Sequence, residues 1–398
     1  IQLMRLCMYD TDCFNIYSVQ IFNSKVLLWL KKRHIVCTLV KLKDSKVPED
    51  LPRLDSIIVP AEKRGRVTLC SDNAVIKLCG EYPLLKSIMV CVSDVALPSL
   101  KQLELLESLY LHESSTLSAE AFRVIAESCR RLESIQLPCR LLCLEAMKAF
   151  SPGRLVHLSL LNPFEFTCPG FISCLYLLSN LETLDMSGCN LTDDTLVAIS
   201  EKCFQLKELH VNACTDITYM SVLSVFLNCK FLSHLSIEGC YDVKSQCFTL
   251  PFQNGHSLPM LVYLNLGDTF RIIGECIDAV ASICPNLKYL NISDSQVNDS
   301  VAVTIAENFP HLEYCGLTNC KDITSLAICS LVKKLHFLKF LNIAYSSGLN
   351  RRSINAVGTH CRRLLKLYIT RKKESLSETY RELQAYLPNL IVVEVAYK

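Results

Sequence analysis

The sequence lacks most of what marks an enzyme, a membrane protein or a nucleic-acid binder. Lysine and arginine, 41 together, are matched by 39 aspartates and glutamates, so a net charge of +2 exerts no broad pull on nucleic acid or anionic membrane. No apolar run approaches the roughly 18 residues of a membrane-spanning helix, the best candidate being Val26 to Leu30. The opening IQLMRLCMYDTDC has no charged start, long apolar middle or small-residue cleavage site, so no secretory leader is expected. GxGxxG, GxxxxGK(S/T), HExxH and GxSxG are absent, and His112-Glu113 has no second histidine, so no catalytic residue is assigned. The expected setting is the cytoplasm, with the nucleus as the other compartment.

There is also no CxxC, although the chain carries 23 cysteines. That number is odd, and the chain is large for a disulfide framework. Cys139 with Cys143, and Cys168 with Cys174, are not spaced as zinc ligands. Free thiols are expected, with no metal and no cofactor.

What the chain does contain is a period. The phrase LxxLxL opens at Leu54, Leu85, Leu106, Leu132, Leu155, Leu181, Leu206, Leu232, Leu261, Leu287, Leu312, Leu338, Leu364 and Leu390. From Leu132 onward most steps are 25 or 26 residues; the exceptions are 23 after Leu132 and 29 after Leu232. Alternating apolar positions predict a short strand with one face inward. Eight residues past each opening leucine stands a small polar or thiol residue: Cys189, Cys214, Cys240, Thr269, Ser295, Cys320 and Ser346. This column is placed to satisfy backbone groups of the neighbouring unit.

A helix is predicted in the second half of each unit, opened by an N-cap residue at Ser118, Thr192, Thr218, Asn298, Thr324 or Asn350. Apolar residues follow four, seven and eleven positions later, for example Val222, Val225 and Cys229 after Thr218. A second cysteine column, Cys129, Cys203, Cys229, Cys284 and Cys361, is expected to close each helix as a small buried hydrophobe. Ser245 to Pro259 lacks a clean helical stripe and is expected to form a loop or broken helix.

A strand and helix of about 26 residues cannot bury their own apolar face, so units must stack. The fold class is α/β: a horseshoe solenoid of about 14 repeats, with a concave parallel sheet and convex helices. Residues 1–53 are read as degenerate N-terminal repeats or a cap, since Leu3, Leu6, Met8 and Cys37, Val40, Leu42 look like weak strand phrases. Residues 54–398 form the repeat domain, most regular over 181–369.

The phrases CFQLKELHVNACTDIT (203–218) and CPNLKYLNISDSQVND (284–299) resemble the cysteine-containing leucine-rich repeats of F-box/LRR proteins. The resemblance implies a protein-binding, non-enzymatic module: the substrate-recognition part of a cullin-RING (SCF) ubiquitin ligase. It also implies an F-box that docks on the ligase adaptor. Residues 1–53 show no LPxE opening, IF/VF phrase or late Cys-Trp pair, so the chain is expected to be a fragment starting inside the solenoid, or a member without the box. The alternative is a ligase-independent scaffold or inhibitor that holds one protein in its concavity. Either way the chain is expected to be a monomer within a complex.

Binding is expected on the outward strand positions. The row flanking the middle leucine begins with Ser56, Ser87, Ser108, Ser134, His157, Thr183 and Glu208, then turns aromatic with His234, Tyr263, Tyr289, Tyr314 and Phe340. A second row holds His210, Ser236, Asn265, Asn291, Gly316 and Asn342. Aromatics beside amides suit a protein-binding hot spot. Replacing Tyr289 and Tyr314 with Ala is expected to abolish capture with little loss of thermal stability. A second candidate is basic: Arg351, Arg352, Arg362, Arg363, Lys366, Arg371, Lys372 and Lys373, a local +8 suited to an acidic segment or phosphate, or else a solvated end face.

Overall fold

The computed structural model describes residues 19–21, 40–42, 56–58, 72–90, 92–111, 117–118, 120–138, 147–148, 150, 153–161, 168–269, 275–346, 348, 350–370 and 383–395. They fall into two compact units, Ile1–Thr183 and Leu184–Lys398.

In the first unit, strands β1 (Val19–Ile21), β2 (Val40–Leu42), β3 (Ser56–Ile58), β4 (Ser87–Val90), β5 (Ser108–Leu111), β6 (Ser134–Pro138) and β7 (His157–Leu161) pair in parallel and in chain order. Helices α1 (Asp72–Glu81), α2 (Ala121–Ser128) and α3 (Cys168–Ile172) and 3-10 turns at Leu97–Gln102 and Leu175–Leu178 return the chain between strands. The weak phrase at Val40 and Leu42 is β2, and β1 follows no leucine phrase. Leu3, Leu6 and Met8 lie outside the described residues. Ser118 is not an N-cap: α2 starts after Glu120, and the Ser118 backbone donates to the Asp94 carboxylate at 3.0 Å. The polar row is in register, with Ser56, Ser87, Ser108, Ser134 and His157 as successive partners.

Strand β8 (Thr183–Asp185) spans the boundary between units. In the second unit follow α4 (Asp193–Lys202), β9 (Glu208–His210), α5 (Tyr219–Asn228), β10 (His234–Ser236), α6 (Gln246–Gln253), β11 (Tyr263–Asn265), α7 (Glu275–Ile283), β12 (Tyr289–Asn291), α8 (Asp299–Asn308), β13 (Tyr314–Gly316), α9 (Ser325–Lys334), β14 (Phe340–Asn342), α10 (Arg351–His360), β15 (Lys366–Thr370) and β16 (Ile391–Val395). Strands β9 to β16 pair in parallel, in order, and Leu209, Leu235, Leu264, Leu290, Cys315, Leu341 and Leu367 align as one column. This is a leucine-rich-repeat solenoid.

One coil shows why. Leu206, Leu209, Val211, Cys214, Ile217, Val222, Val225 and Cys229 are each at most 1% exposed, so both predicted stripes meet in one seam. The turn thiols donate to a carbonyl of the preceding coil: Cys214 to Met186, Cys240 to Val211 at 3.1 Å, and Cys320 to Ile292. Ser346 does the same to Leu317 at 2.7 Å. Cys129, Cys203, Cys229 and Cys361 are helix C-caps, each with its N–H bonded four residues back.

Thr218, Asn298, Thr324 and Asn350 cap their helices through the side chain. Thr192 holds the N-cap position without that bond, its hydroxyl lying instead 3.1 Å from the Thr195 hydroxyl. Between coils, Asp193 accepts from both the backbone N–H and the hydroxyl of Thr218 at 2.7 Å, and Asp299 does so from Thr324 at 2.6 Å. The irregular stretch is a short helix, α6, that ends at Gln253 and gives way to an irregular return over 254–259: Cys247, Phe248 and Pro251 supply its buried stripe, while Pro251 cannot donate to the carbonyl four residues back.

Candidate functional site

Each strand is only three to five residues long, so it offers two or three outward positions, and parallel pairing sets equivalent positions of successive coils about 4.8 Å apart. That spacing is close to the stacking distance of aromatic rings. The row brings together the predicted Glu208, His234, Tyr263, Tyr289, Tyr314 and Phe340 as successive cross-strand partners, and Lys366, read from the sequence as part of the basic set, continues it. Tyr263 and Tyr289 stack with ring centroids 3.9 Å apart and planes 17° from parallel. Tyr289 and Tyr314 stack at 3.9 Å and 10°. The stack loosens at both ends, to His234 at 5.4 Å from Tyr263 and to Phe340 at 6.4 Å from Tyr314. Beyond these, Glu208 lies 4.0 Å from His234 Nδ1, and Lys366 Nζ sits 6.0 Å from the Phe340 ring centre.

The tyrosine hydroxyls are partly withdrawn from water. Burial, and then the neighbouring Tyr314 phenol, push Tyr289 well above the ordinary phenol range, and burial pushes Tyr314 up as well. Both therefore remain neutral donors wherever the protein works.

The second row corrects the expectation of exposure. Asn265 and Asn291 are 5% and 9% exposed. Asn265 Nδ2 donates to Glu238 Oε2 at 2.8 Å, and Asn291 Nδ2 donates to Asn265 Oδ1 at 2.8 Å. Asn265 Oδ1 also accepts from Gly267 N–H, and Asn291 Oδ1 from the N–H and hydroxyl of Ser293. The amides thus form a ladder beneath the aromatic edge, because each can satisfy a backbone turn and a neighbouring coil at once. Ser236 is likewise buried and donates to Asn212 at 2.6 Å. His210 and Asn342 are half-buried, and Gly316 is buried.

Among the described residues the basic set is spread out. Arg351 and Arg352 open α10, whereas Arg362 and Arg363 follow its C-cap, about 15 Å away along the ten-residue helix. Arg363 stacks over Phe337 at 4.8 Å, and Lys366 belongs to the strand face. Arg371, Lys372 and Lys373 lie outside the described residues.

A feature not read from the sequence is a column of left-handed residues seven positions after each opening leucine: Gly188, Ala213, Gly239, Asp268, Asp294, Asn319 and Tyr345, all with φ between 54° and 75°. Only two are glycine, and the rest range from alanine to tyrosine, so composition gave no sign of it. Cys129, Cys203, Cys214, Cys229, Cys240, Cys284, Cys320 and Cys361 are buried free thiols. Burial holds Cys129, Cys203, Cys229 and Cys361 up at about 12, which makes them poor nucleophiles. Among the described residues no three His, Cys, Asp or Glu side chains gather to hold a metal, and no helix is long and apolar enough to cross a membrane.

No protein-family model matches the chain. It is 24% identical over 163 residues to the F-box protein SKIP1 of Arabidopsis thaliana, covering 37% of this chain and 54% of that one. It is 28% identical over 185 residues to the DNA repair protein rhp7 of Schizosaccharomyces pombe, covering 46% of this chain and 30% of that protein. With the F-box/LRR-repeat protein 4 of Bos taurus it shares 24% over 230 residues, covering 56% and 33%. The chain therefore spans about half the length of these relatives, or less. In structure it matches a chain of the yeast Rad7 and Elc1 complex with a TM-score of 0.60 at 17% identity, over 81% of this chain and 83% of that one. The structural likeness shows the leucine-rich-repeat fold, and two of the three relatives are named for an F-box.

Proposed function

We propose that this chain is the substrate-recognition module of an F-box/LRR-type ubiquitin ligase, with cysteine-containing repeats, and that it captures a protein on the aromatic strand face of its second unit. It performs no chemistry; ubiquitin is transferred by partner subunits, and docking on the ligase is done by an F-box or an equivalent adaptor contact. The setting is the cytoplasm or nucleus. The observation that carries this reading is the row from Glu208 to Lys366, which sets five consecutive aromatic rungs on an outward face. The row stands apart from the leucine seam, which lies on the opposite face of the strands. Large, rigid aromatic area is what protein interfaces concentrate. The likeness to proteins named for an F-box supports the ligase half of the reading.

The test is affinity capture of the full-length protein from cells, with cullin subunits and bound proteins both identified. Recovery of a cullin complex, together with a protein lost on Tyr289→Ala, is the expected result. A protein captured through Tyr289 with no cullin subunit would leave a ligase-independent scaffold. A cullin complex with no dependence on the row would place substrate binding elsewhere.

A further inference from the structure

The aromatic face is uneven in charge along its length. In the second unit, the outward strand and turn positions of the coils opening at Leu181, Leu206 and Leu232 carry Asp185, Glu208 and Glu238, with His210 and His234 among them. The outward strand positions of the next four coils, and the turn residues Gly267, Ser293, Thr318 and Ala344 that match Glu238, carry no charge; the turn aspartates Asp268 and Asp294 beside them are bonded to Tyr241 and Asn319, and the following strand presents Lys366. In the second unit no lysine or arginine occupies an outward strand position before Lys366. The row at the sheet edge, one residue earlier, is mixed in sign, with Lys339 paired to Glu313 at 2.6 Å, and adds no polarity of its own.

The stacking limits what the middle can bind. Tyr289 has a ring on each face at 3.9 Å, so an arriving group meets ring edges and hydroxyls, not open π-faces. Ring edges are the electropositive part of the quadrupole and suit carbonyl oxygens, and the neutral phenols add donors. A peptide backbone fits such a strip, whereas a base that needs an open ring face, on a surface beginning with three carboxylates, does not. From β9 to β15 the six strand-to-strand steps of about 4.8 Å cover about 29 Å, the reach of an extended segment of about nine residues at 3.3 Å each.

We infer that the occupant of this face is an extended segment of a partner protein, laid across strands β9 to β15. It carries arginine or lysine over Glu208 and Glu238, uncharged residues over Tyr263 to Phe340, and a carboxylate at Lys366. The inference rests on the reading of this face as the binding surface and adds the chemistry and direction of what it holds.

The experiment selects random displayed peptides of about nine residues, between Gly-Ser spacers, on the whole chain. Glu208→Lys and Lys366→Glu are used as variants because both side chains are part-exposed and leave the amide ladder intact. The expected peptides have a basic end and an acidic end. Each variant should bind them about tenfold more weakly, and a peptide with the matching charge exchanged should recover the affinity. Peptides that are lost on Tyr289→Ala yet show no charge order, and ignore both variants, overturn this inference while the binding face stands. Peptides indifferent to Tyr289→Ala, the selection of none, or binding of a random oligonucleotide in their place overturn both.

Discussion

Asn291 occupies the room that a side chain on Gly316 would need: a Cβ there would run into Asn291 Oδ1 and lie 2.9 Å from its Cγ. Asn291 cannot swing away without breaking its bonds to Asn265 and Ser293. Gly316→Ala should therefore destabilise the chain by about 1–3 kcal/mol, read from the urea midpoint. Adding Asn291→Ala should recover part of that loss; strict additivity of the two costs would show that the clash lies elsewhere.

The buried thiols predict alkaline sensitivity. Cys129, Cys203, Cys214, Cys229, Cys240, Cys276, Cys320 and Cys361 are each raised by burial to about 12. In the unfolded chain a thiol titrates near 8.5. The folded values are the higher ones, so this contribution is whole below about pH 8.5 and is lost as pH climbs from there toward 12. The thermal midpoint should fall steeply over that window. A flat midpoint between pH 8.5 and 11 would count against buried neutral thiols. Below it, an aromatic disulfide reagent should label these cysteines only as fast as the protein opens.

The two cysteine columns should respond differently to serine. In the turn column a hydroxyl already does the thiol's work at Ser346, so Cys320→Ser should cost less than about 1 kcal/mol. At the helix ends Cys229 acts as a hydrophobe, with only a 3.9 Å approach to the Ser200 carbonyl, so Cys229→Ser should cost about 1–3 kcal/mol. Equal losses would remove the distinction.

Ala213 holds a left-handed turn at φ 54°. Glycine there escapes the Cβ conflict, and Ala213→Gly should stabilise the second unit by about 0.5–1 kcal/mol, as measured by chemical denaturation. A loss of stability would mean that the alanine methyl contributes contacts that outweigh its strain.

For the aromatic row, Tyr289→Ala removes a ring stacked on both faces and should cost about 2–4 kcal/mol. This revises the sequence-based expectation of little stability loss. Tyr289→Phe keeps the stack and should stay within about 1 kcal/mol of the parent, which makes it the cleaner probe of what the hydroxyl gives a partner. Calorimetry of both variants checks the pair.

Sequence alone made the solenoid readable, because the period of the leucines is itself the stacking repeat: every phrase from Leu54 to Leu364 places a strand two residues later. The aromatic row was readable for the same reason, since its members share one register. The amide ladder was not. Asn265 and Asn291 look solvent-facing by alternation, and only the coordinates bring Glu238, Asn265, Asn291 and Ser293 within bonding distance. The basic set shows another limit of sequence distance: Arg351 and Arg363 are near in sequence but separated by a whole helix. Ser118 misled because a serine two residues ahead of the N-cap Glu120 satisfies the previous coil instead of capping its own.

The staples between coils have a further consequence, in time. Ser93 reaches back 21 residues to Asp72, Thr218 reaches back 25 to Asp193, and Cys361 reaches back 29 to Val332. A partner is thus always the segment synthesised just before. As the chain leaves the ribosome, each new turn meets a finished template, so assembly can advance from one end like bricklaying, with only the newest course exposed to mispairing.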